Sequence, residues 1–337
     1  MSNIYHILKL ATQVKSRRLK LFGLWLFHIT GKRYIGIFLD PVLACNLRCK
    51  MCYFSDEEMR KSYKGTLPYE DIEIIASRLF HRALKLQIGC GAEPTIHKDL
   101  VRIIALGKRY HVPYVSLTTN GQLLTKELLF AAVEHGLDEL TLSTHGFTPS
   151  TYEHLMTNAR FDLFLRLLAD VAEVKKRFPA FRLRINYTIN RDNLKELIHL
   201  WDVVGDTADI IQLRPIQRIG DSEYKDFNLT TLYEQYDEII TPLIQQCAER
   251  HITCLAPNKE NILVLEKNNA EDNSIERFTY CYVSAQGCWQ EDFDYHTDTF
   301  ESYATTHQWG KQILAKAFGK AQKKKACVTR KMNYNIK

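Results

Sequence analysis

The 337-residue chain has no apolar run of about 18 residues, so no bilayer-spanning helix is expected from it. Internal repeats and low-complexity segments are also lacking, which excludes solenoid and disordered classes. Cysteine is too sparse for a disulfide scaffold. There are nine, an odd number, scattered over a long chain, which fits reduced thiols in a cytosol better than a secreted framework. One-signed charge is scarce as well, at a net +6. Most of the excess gathers in "KSRRLK" (15–20) and "KAQKKKACVTRK" (320–331). These read as solvated chain ends or as contacts for an anionic partner. The apolar stretch "LFGLWLFHI" (21–29) follows the first of them with no small-residue cleavage site behind it. It reads as an amphipathic helix packed on the body, with contact to a membrane surface as the alternative.

What is present is an alternation of two periods. Strand-like runs lie at 34–44, 84–90, 114–120, 139–144, 182–189 and 209–216, rich in β-branched residues and flanked by turn or cap residues. Helical periods lie between them. Ile72, Ile75, Ala76 and Leu79 share one face, and Phe161, Phe164, Leu165 and Leu168 another. Six strands alternating with helices predict a parallel α/β sheet with right-handed crossovers. After residue 220 the alternation fails. A long helix (228–250), isolated cysteines and a last helix (307–322) then predict an α-rich C-terminal appendage. Three segments result: an amphipathic N-terminal piece (1–33), a core (34–220) and the appendage (221–337).

In such sheets chemistry gathers at the carboxyl ends of the strands, where the unusual residues of this sequence also fall. "CNLRCKMC" (45–52) follows the first run, "GCGAEPT" (89–95) ends the second, "TTNG" (118–121) the third and "STHG" (143–146) the fourth. Cys45, Cys49 and Cys52 crowd three thiols onto one short loop. Zinc sites take four ligands, and no fourth Cys or His lies nearby in sequence. Thiolates also suit iron–sulfur clusters, and three protein ligands leave one iron of a cubane open to a small chelating molecule.

CxxxCxxC after a first strand resembles the signature loop of the radical S-adenosylmethionine (radical SAM) superfamily. "GAEPT" looks like its GGEP motif, with Ala92 in place of the second Gly, and "TTNG" and Ser143 match further positions in order. The resemblance spans roughly 34–217. It implies a partial (β/α)6 TIM-like barrel with the α-rich appendage. It also implies a 4Fe–4S cluster on Cys45, Cys49 and Cys52, and S-adenosyl-L-methionine (SAM) on the open iron. An electron donor such as flavodoxin or ferredoxin would reduce the cluster. Reductive cleavage of SAM would then give a 5′-deoxyadenosyl radical that abstracts hydrogen from a substrate. The backbone at Gly91 and Ala92 would meet the methionine ammonium, with Glu93 adding charge beside it. Thr119, Ser143 and Arg184 would line the SAM site. Arg214 would pass the adenine or meet substrate, and Met51 stands where an aromatic usually packs.

Cys254, Cys281, Cys288 and Cys327 look faintly like pieces of the SPASM or twitch regions of peptide-modifying relatives. They could share a second iron–sulfur cluster, or be reduced buried thiols or zinc ligands. That region makes a peptide or protein the first expectation for substrate. A lipid or sugar intermediate is the second, and the Gly-Gly ending of molybdenum-cofactor cyclases is missing. No nucleic-acid module is visible. A non-catalytic iron–sulfur or electron-transfer protein and a basic nucleic-acid binder stay open as other classes.

Overall fold

A computed structural model describes residues 14, 16–218, 220–260, 262, 274–319 and 334–336. All six expected strands form, as β1 (Ile35–Asp40), β2 (Ala83–Ile88), β3 (Tyr114–Thr119), β4 (Glu139–Thr144), β5 (Arg182–Ile189) and β6 (Ile210–Pro215). They pair in parallel in chain order. Sequential order has a geometric consequence. Right-handed crossovers between successive neighbours all land on one face, so the sheet is covered by helices on that face and curls about the other as a barrel.

Residue types divide along the same line. Leu86, Val115, Leu117, Leu140, Leu142, Leu183, Ile185, Ile211 and Leu213 are fully buried. The helix Leu100–Arg109 packs so closely there that a Cβ on its Gly107 would lie 2.9 Å from Val115 and 3.0 Å from Leu86. The alternate residues are polar: Lys85 and Gln87, Ser116, Glu139 and Thr141, Arg184 and Asn186, then Gln212 and Arg214. A polar inner face suits a lumen that receives a polar ligand rather than one packed solid.

The C-terminal part has the expected helices and also adds strands to the sheet. It contributes β7 (Thr253–Pro257), parallel to β6, and β8 (Tyr280–Ser284), which returns to lie parallel to β1. A hairpin to β9 (Gly287–Cys288) and an antiparallel β10 (Tyr334–Ile336) on β7 complete a ten-stranded sheet. In the sheet, residues beyond 220 therefore extend the barrel instead of standing apart from it. "TCLAP" and "YCYVS" are too short and too isolated to announce strands, and tertiary pairing decides them. The expected long helix is present but is interrupted by a π-helical turn at Tyr236–Ile240.

At the other end of the chain, α1 (Arg17–Ile29) buries Leu21 and Leu24. It packs on α2 (Trp309–Phe318), whose Gly310 lets His28 approach. Among the described residues no helix is long and apolar enough to cross a membrane.

Candidate functional site

The loop after β1 is pinned by its backbone. Arg48–Cys49 pairs antiparallel with Met156–Thr157. The Lys50 N–H donates to the Leu155 carbonyl at 2.9 Å. The Arg48 guanidinium donates to the carbonyls of Cys45 and Leu47, at 2.7 Å each, and Leu47 plugs the core. Two of the three half-buried sulfurs receive donors. The Leu47 N–H points at Cys45 Sγ (3.4 Å), the Phe54 N–H at Cys52 Sγ (3.5 Å), and Asn120 Nδ2 lies 3.8 Å from Cys45 Sγ. Such donors tune a cluster's sulfurs.

Burial pushes the Cys45 thiol up to about 12 and raises Cys49 and Cys52, and the Cys49 thiol feels both of its neighbours. Three adjacent thiols that resist ionisation alone are what a strongly positive centre would reverse. Among the described residues no three His, Cys, Asp or Glu side chains converge on one metal ion. A cubane does not ask this of the loop, since each thiolate binds its own iron. The donor set fits a cluster with one iron left open.

Opposite the loop, the turn after β2 is built by Asp40, the last residue of β1. Its buried carboxylate accepts from the Cys90 N–H (2.7 Å) and the Gly91 N–H (3.0 Å). Gly89 is required there. Its φ is +81°, and a Cβ would stand 2.3 Å from the Thr118 carbonyl. Gly91 gives its carbonyl to the Tyr53 hydroxyl, and Ala92 is half-buried beside it.

Glu93 is 2% exposed. Its carboxylate accepts four bonds: from the Thr95 N–H (3.1 Å), the Thr95 hydroxyl (2.5 Å), the Thr119 hydroxyl (2.6 Å) and the Asn120 N–H (2.8 Å). Glu93 thus ties β2 to β3 instead of standing free beside a ligand. Thr119 has committed its proton to Glu93. Asn120 then reaches Asn46 Oδ1 at 2.9 Å, next to Cys45.

The remaining expected residues divide. Met51 is buried, its Sδ accepting from Asn190 Nδ2 at 2.8 Å. Arg184 does not reach outward for a carboxylate. Its fork is held by buried Glu139 (2.8 Å) and by Gln212 Oε1 (2.8 Å), because Arg184 faces Thr141 and Ile210 in register, one inward-facing position below Ser143 and Asn186. Ser143 and Arg214, both half-buried on the inner face, have no protein partner among the described residues. Lys85 shares that face. Its ammonium donates to Gln87 Oε1 at 3.0 Å, and burial lowers its pKa against the pull of Glu139.

Cys90, expected at the rim, is exposed there, and Cys247 is buried on its helix. Cys254 lies on β7, and Cys281 and Cys288 on β8 and β9, at opposite flanks of the sheet. Cys327 is outside the described residues. The geometry therefore does not gather Cys254 with Cys281 and Cys288. Asp40 and Asn120 escaped sequence reasoning, although a carboxylate ending the apolar run "YIGIFLD" and the Asn of "TTNG" were both available as signals. A cavity of about 880 Å³ opens at the amino-terminal face near Tyr114, Asp138, Arg182 and Asp209. Its charges are already paired with Lys108, Lys175 and each other, so it is structural.

His145 of "STHG" is enclosed by protein, which lowers its pKa to about 4, and its Nδ1 has no partner among the described residues. The unfolded value near 6.5 is higher, so the unfolded state takes up the proton first. Stability from this group is complete above pH 6.5 and falls as pH drops toward 4, by roughly 2–3 kcal/mol. Denaturant titrations of His145→Gln should show a correspondingly flatter acid limb than the parent.

Comparison with known proteins agrees with the site. Residues 40–200 match the model of the radical SAM superfamily. These residues form a radical SAM domain. The superfamily uses a 4Fe–4S cluster and SAM, which is the pair that the loop and rim fit. A probable GTP 3′,8-cyclase of Saccharolobus islandicus (strain M.14.25 / Kamchatka #1) is 28% identical over 212 residues, 62% of this chain and 66% of that protein. One from Saccharolobus solfataricus is 30% identical over 205 residues, 59% and 63%. The chain thus spans slightly less than two thirds of these relatives. Among solved structures, Streptococcus suis SuiB bound to S-adenosylmethionine superposes with a TM-score of 0.60 at 19% identity, over 76% of this chain and 59% of SuiB. Methylornithine synthase (PylB) gives 0.51 at 14% identity, over 90% and 92%. At these identities the likeness is one of fold, and it covers most of this chain.

Proposed function

We propose that the chain is a radical SAM enzyme that cleaves SAM reductively and takes hydrogen from a substrate carrying an anionic group, seated on the polar inner face. The observation that carries the reading is the position of loop 45–52. Three thiols, two of them with N–H donors on their sulfurs, sit on the loop after β1, and on the inner face Ser143 and Arg214 lack protein partners among the described residues. When bound, cluster and SAM supply the one-electron cleavage and a carbon radical able to attack an unactivated C–H bond.

The chain's own residues do the rest. Cys45, Cys49 and Cys52 would hold the cluster. The Ser143 hydroxyl and the Arg214 guanidinium would take polar groups of SAM, and Met51 would pack by it. Glu93, Thr119 and Asn120 position the loop, and Arg184 balances Glu139. Lys85 is a further cation of the inner face among the described residues and would meet the substrate's anion. A flavodoxin- or ferredoxin-type donor would supply the electron. The peptide substrate expected from the C-terminal cysteines draws no support from their geometry.

The experiment is anaerobic reconstitution with iron and sulfide, reduction, and chromatography for 5′-deoxyadenosine. Slow formation without substrate is expected. Lys85→Met should leave that basal cleavage intact. No 5′-deoxyadenosine under several reductants, with the cluster intact, would favour a non-catalytic protein.

A further inference from the structure

The charge of this chain is segregated. Residues 1–39 and 302–337 contain sixteen Lys and Arg and no Asp or Glu, whereas residues 40–301 carry 29 basic and 39 acidic residues. The fold joins helices from the two acid-free segments, since α1 packs along α2. Leu21 and Leu24 of α1 are buried, and Trp25 and His28 lie against Gly310 of α2. The other side of α1 is apolar yet uncovered. Leu19 (64% exposed), Phe22, Leu26 and Ile29 (53%) recur at helical spacing, with Phe27 beside them. Phe318 of α2, 67% exposed, extends the stripe, its ring edge-on to Phe22 at 6.4 Å. Arg18, Lys20, Lys311 and Lys316 belong to the same helix pair.

We infer that this helix pair is a docking surface for an anionic lipid bilayer. Apolar side chains in a row with cations around them and no carboxylate on either helix match an interfacial helix, whose apolar face enters the headgroup boundary while its cations meet acidic lipid; Glu301, beside His28, is held by His81. A polyanion such as RNA would reward the cations but leave six large apolar side chains in water. Position in the barrel adds a second point. α1 runs into the amino end of β1, and Arg33, just beyond it, donates to the carbonyls of Phe80, Ala83 and Tyr110 near the starts of β2 and β3. The Cys loop leaves the carboxyl end of β1, about 20 Å away along the strand. Docking through α1 thus holds the chain at a membrane with the barrel mouth facing away from it, open to an electron donor.

The test uses the full chain with vesicles of phosphatidylcholine alone or mixed with phosphatidylglycerol, read by co-sedimentation over a range of salt. A single-stranded RNA oligonucleotide serves as the competing polyanion. Binding to the phosphatidylglycerol vesicles is expected, weakening with salt. Arg18→Gln with Lys20→Gln should lower it on the order of thirtyfold, about fivefold for each cation removed. Leu19→Ser with Leu26→Ser and Ile29→Ser should lower it at least tenfold. All are surface positions, and Phe318→Ser on α2 repeats the apolar test should the α1 variants fold poorly. Unchanged iron content checks that the domain is intact. Absence of binding to phosphatidylglycerol vesicles overturns the inference. So does full binding by the apolar variants, or tighter binding to RNA than to vesicles.

Discussion

Alanine at Cys45, Cys49 and Cys52 together is expected to give a folded protein that holds no iron at the loop and forms no 5′-deoxyadenosine, against about four irons per loop in the parent. The fold should survive because main-chain bonds fix the loop: Arg48 to the carbonyls of Cys45 and Leu47, Lys50 N–H to Leu155, and the pairing with Met156–Thr157. None of these uses a sulfur. The thiols sit among protein atoms that raise their pKa, so replacing them with methyl groups removes no buried charge from the empty protein. Iron analysis, circular dichroism and product chromatography read the three parts separately. Iron retained at the parental level in the triple variant would mean that the loop is not the ligand set.

The second large effect concerns a residue that touches no iron. Glu93→Ala strips four donors of their acceptor at once, and the Asn120 N–H has no rotamer with which to find another. The expected loss is about 3–5 kcal/mol, or a fall in Tm on the order of 10 °C. Asn120 should release Asn46 at the same time, so the cluster should become labile. Glu93→Gln keeps the volume and one accepting oxygen. It should cost roughly 1–2 kcal/mol, since the threonine hydroxyls can turn to accept from the new amide. A free carboxylate serving only the methionine ammonium would behave otherwise. Its removal would leave Tm unchanged and weaken SAM binding alone, and that pattern would contradict the structural role of Glu93.

Much of the fold was legible because its strands carry a local signal. Each of β1 to β6 is a six- to eight-residue run bounded by turn chemistry, and successive pairing needs no information beyond chain order. The strands β7 and β8 were not legible. Their five residues acquire strand character only by meeting β6 and β1, a long-range event with no local trace. The site divides in the same way. The loop of Cys45, Cys49 and Cys52 could be located because three thiols on one loop are a local pattern, and the inner-face positions of Ser143 and Arg214 because strand ends are. Arg184 and Thr119 were assigned to a ligand since their partners were invisible: Glu139 sits on the neighbouring strand and Glu93 in the turn after β2, and only the assembled fold brings them within 2.6–2.8 Å. A polar side chain at a strand end can be seen in a sequence, whereas whether it is already satisfied cannot.

The central claim is that loop 45–52 holds a cluster with one iron open to SAM, and electron paramagnetic resonance of the reconstituted, reduced protein tests it most directly. The account predicts a signal of a reduced four-iron cluster that changes shape when SAM is added, and a weaker change in Arg214→Ala, whose guanidinium no longer meets the cofactor. A cluster signal indifferent to saturating SAM, or a change that persists in the triple Cys variant, would contradict it.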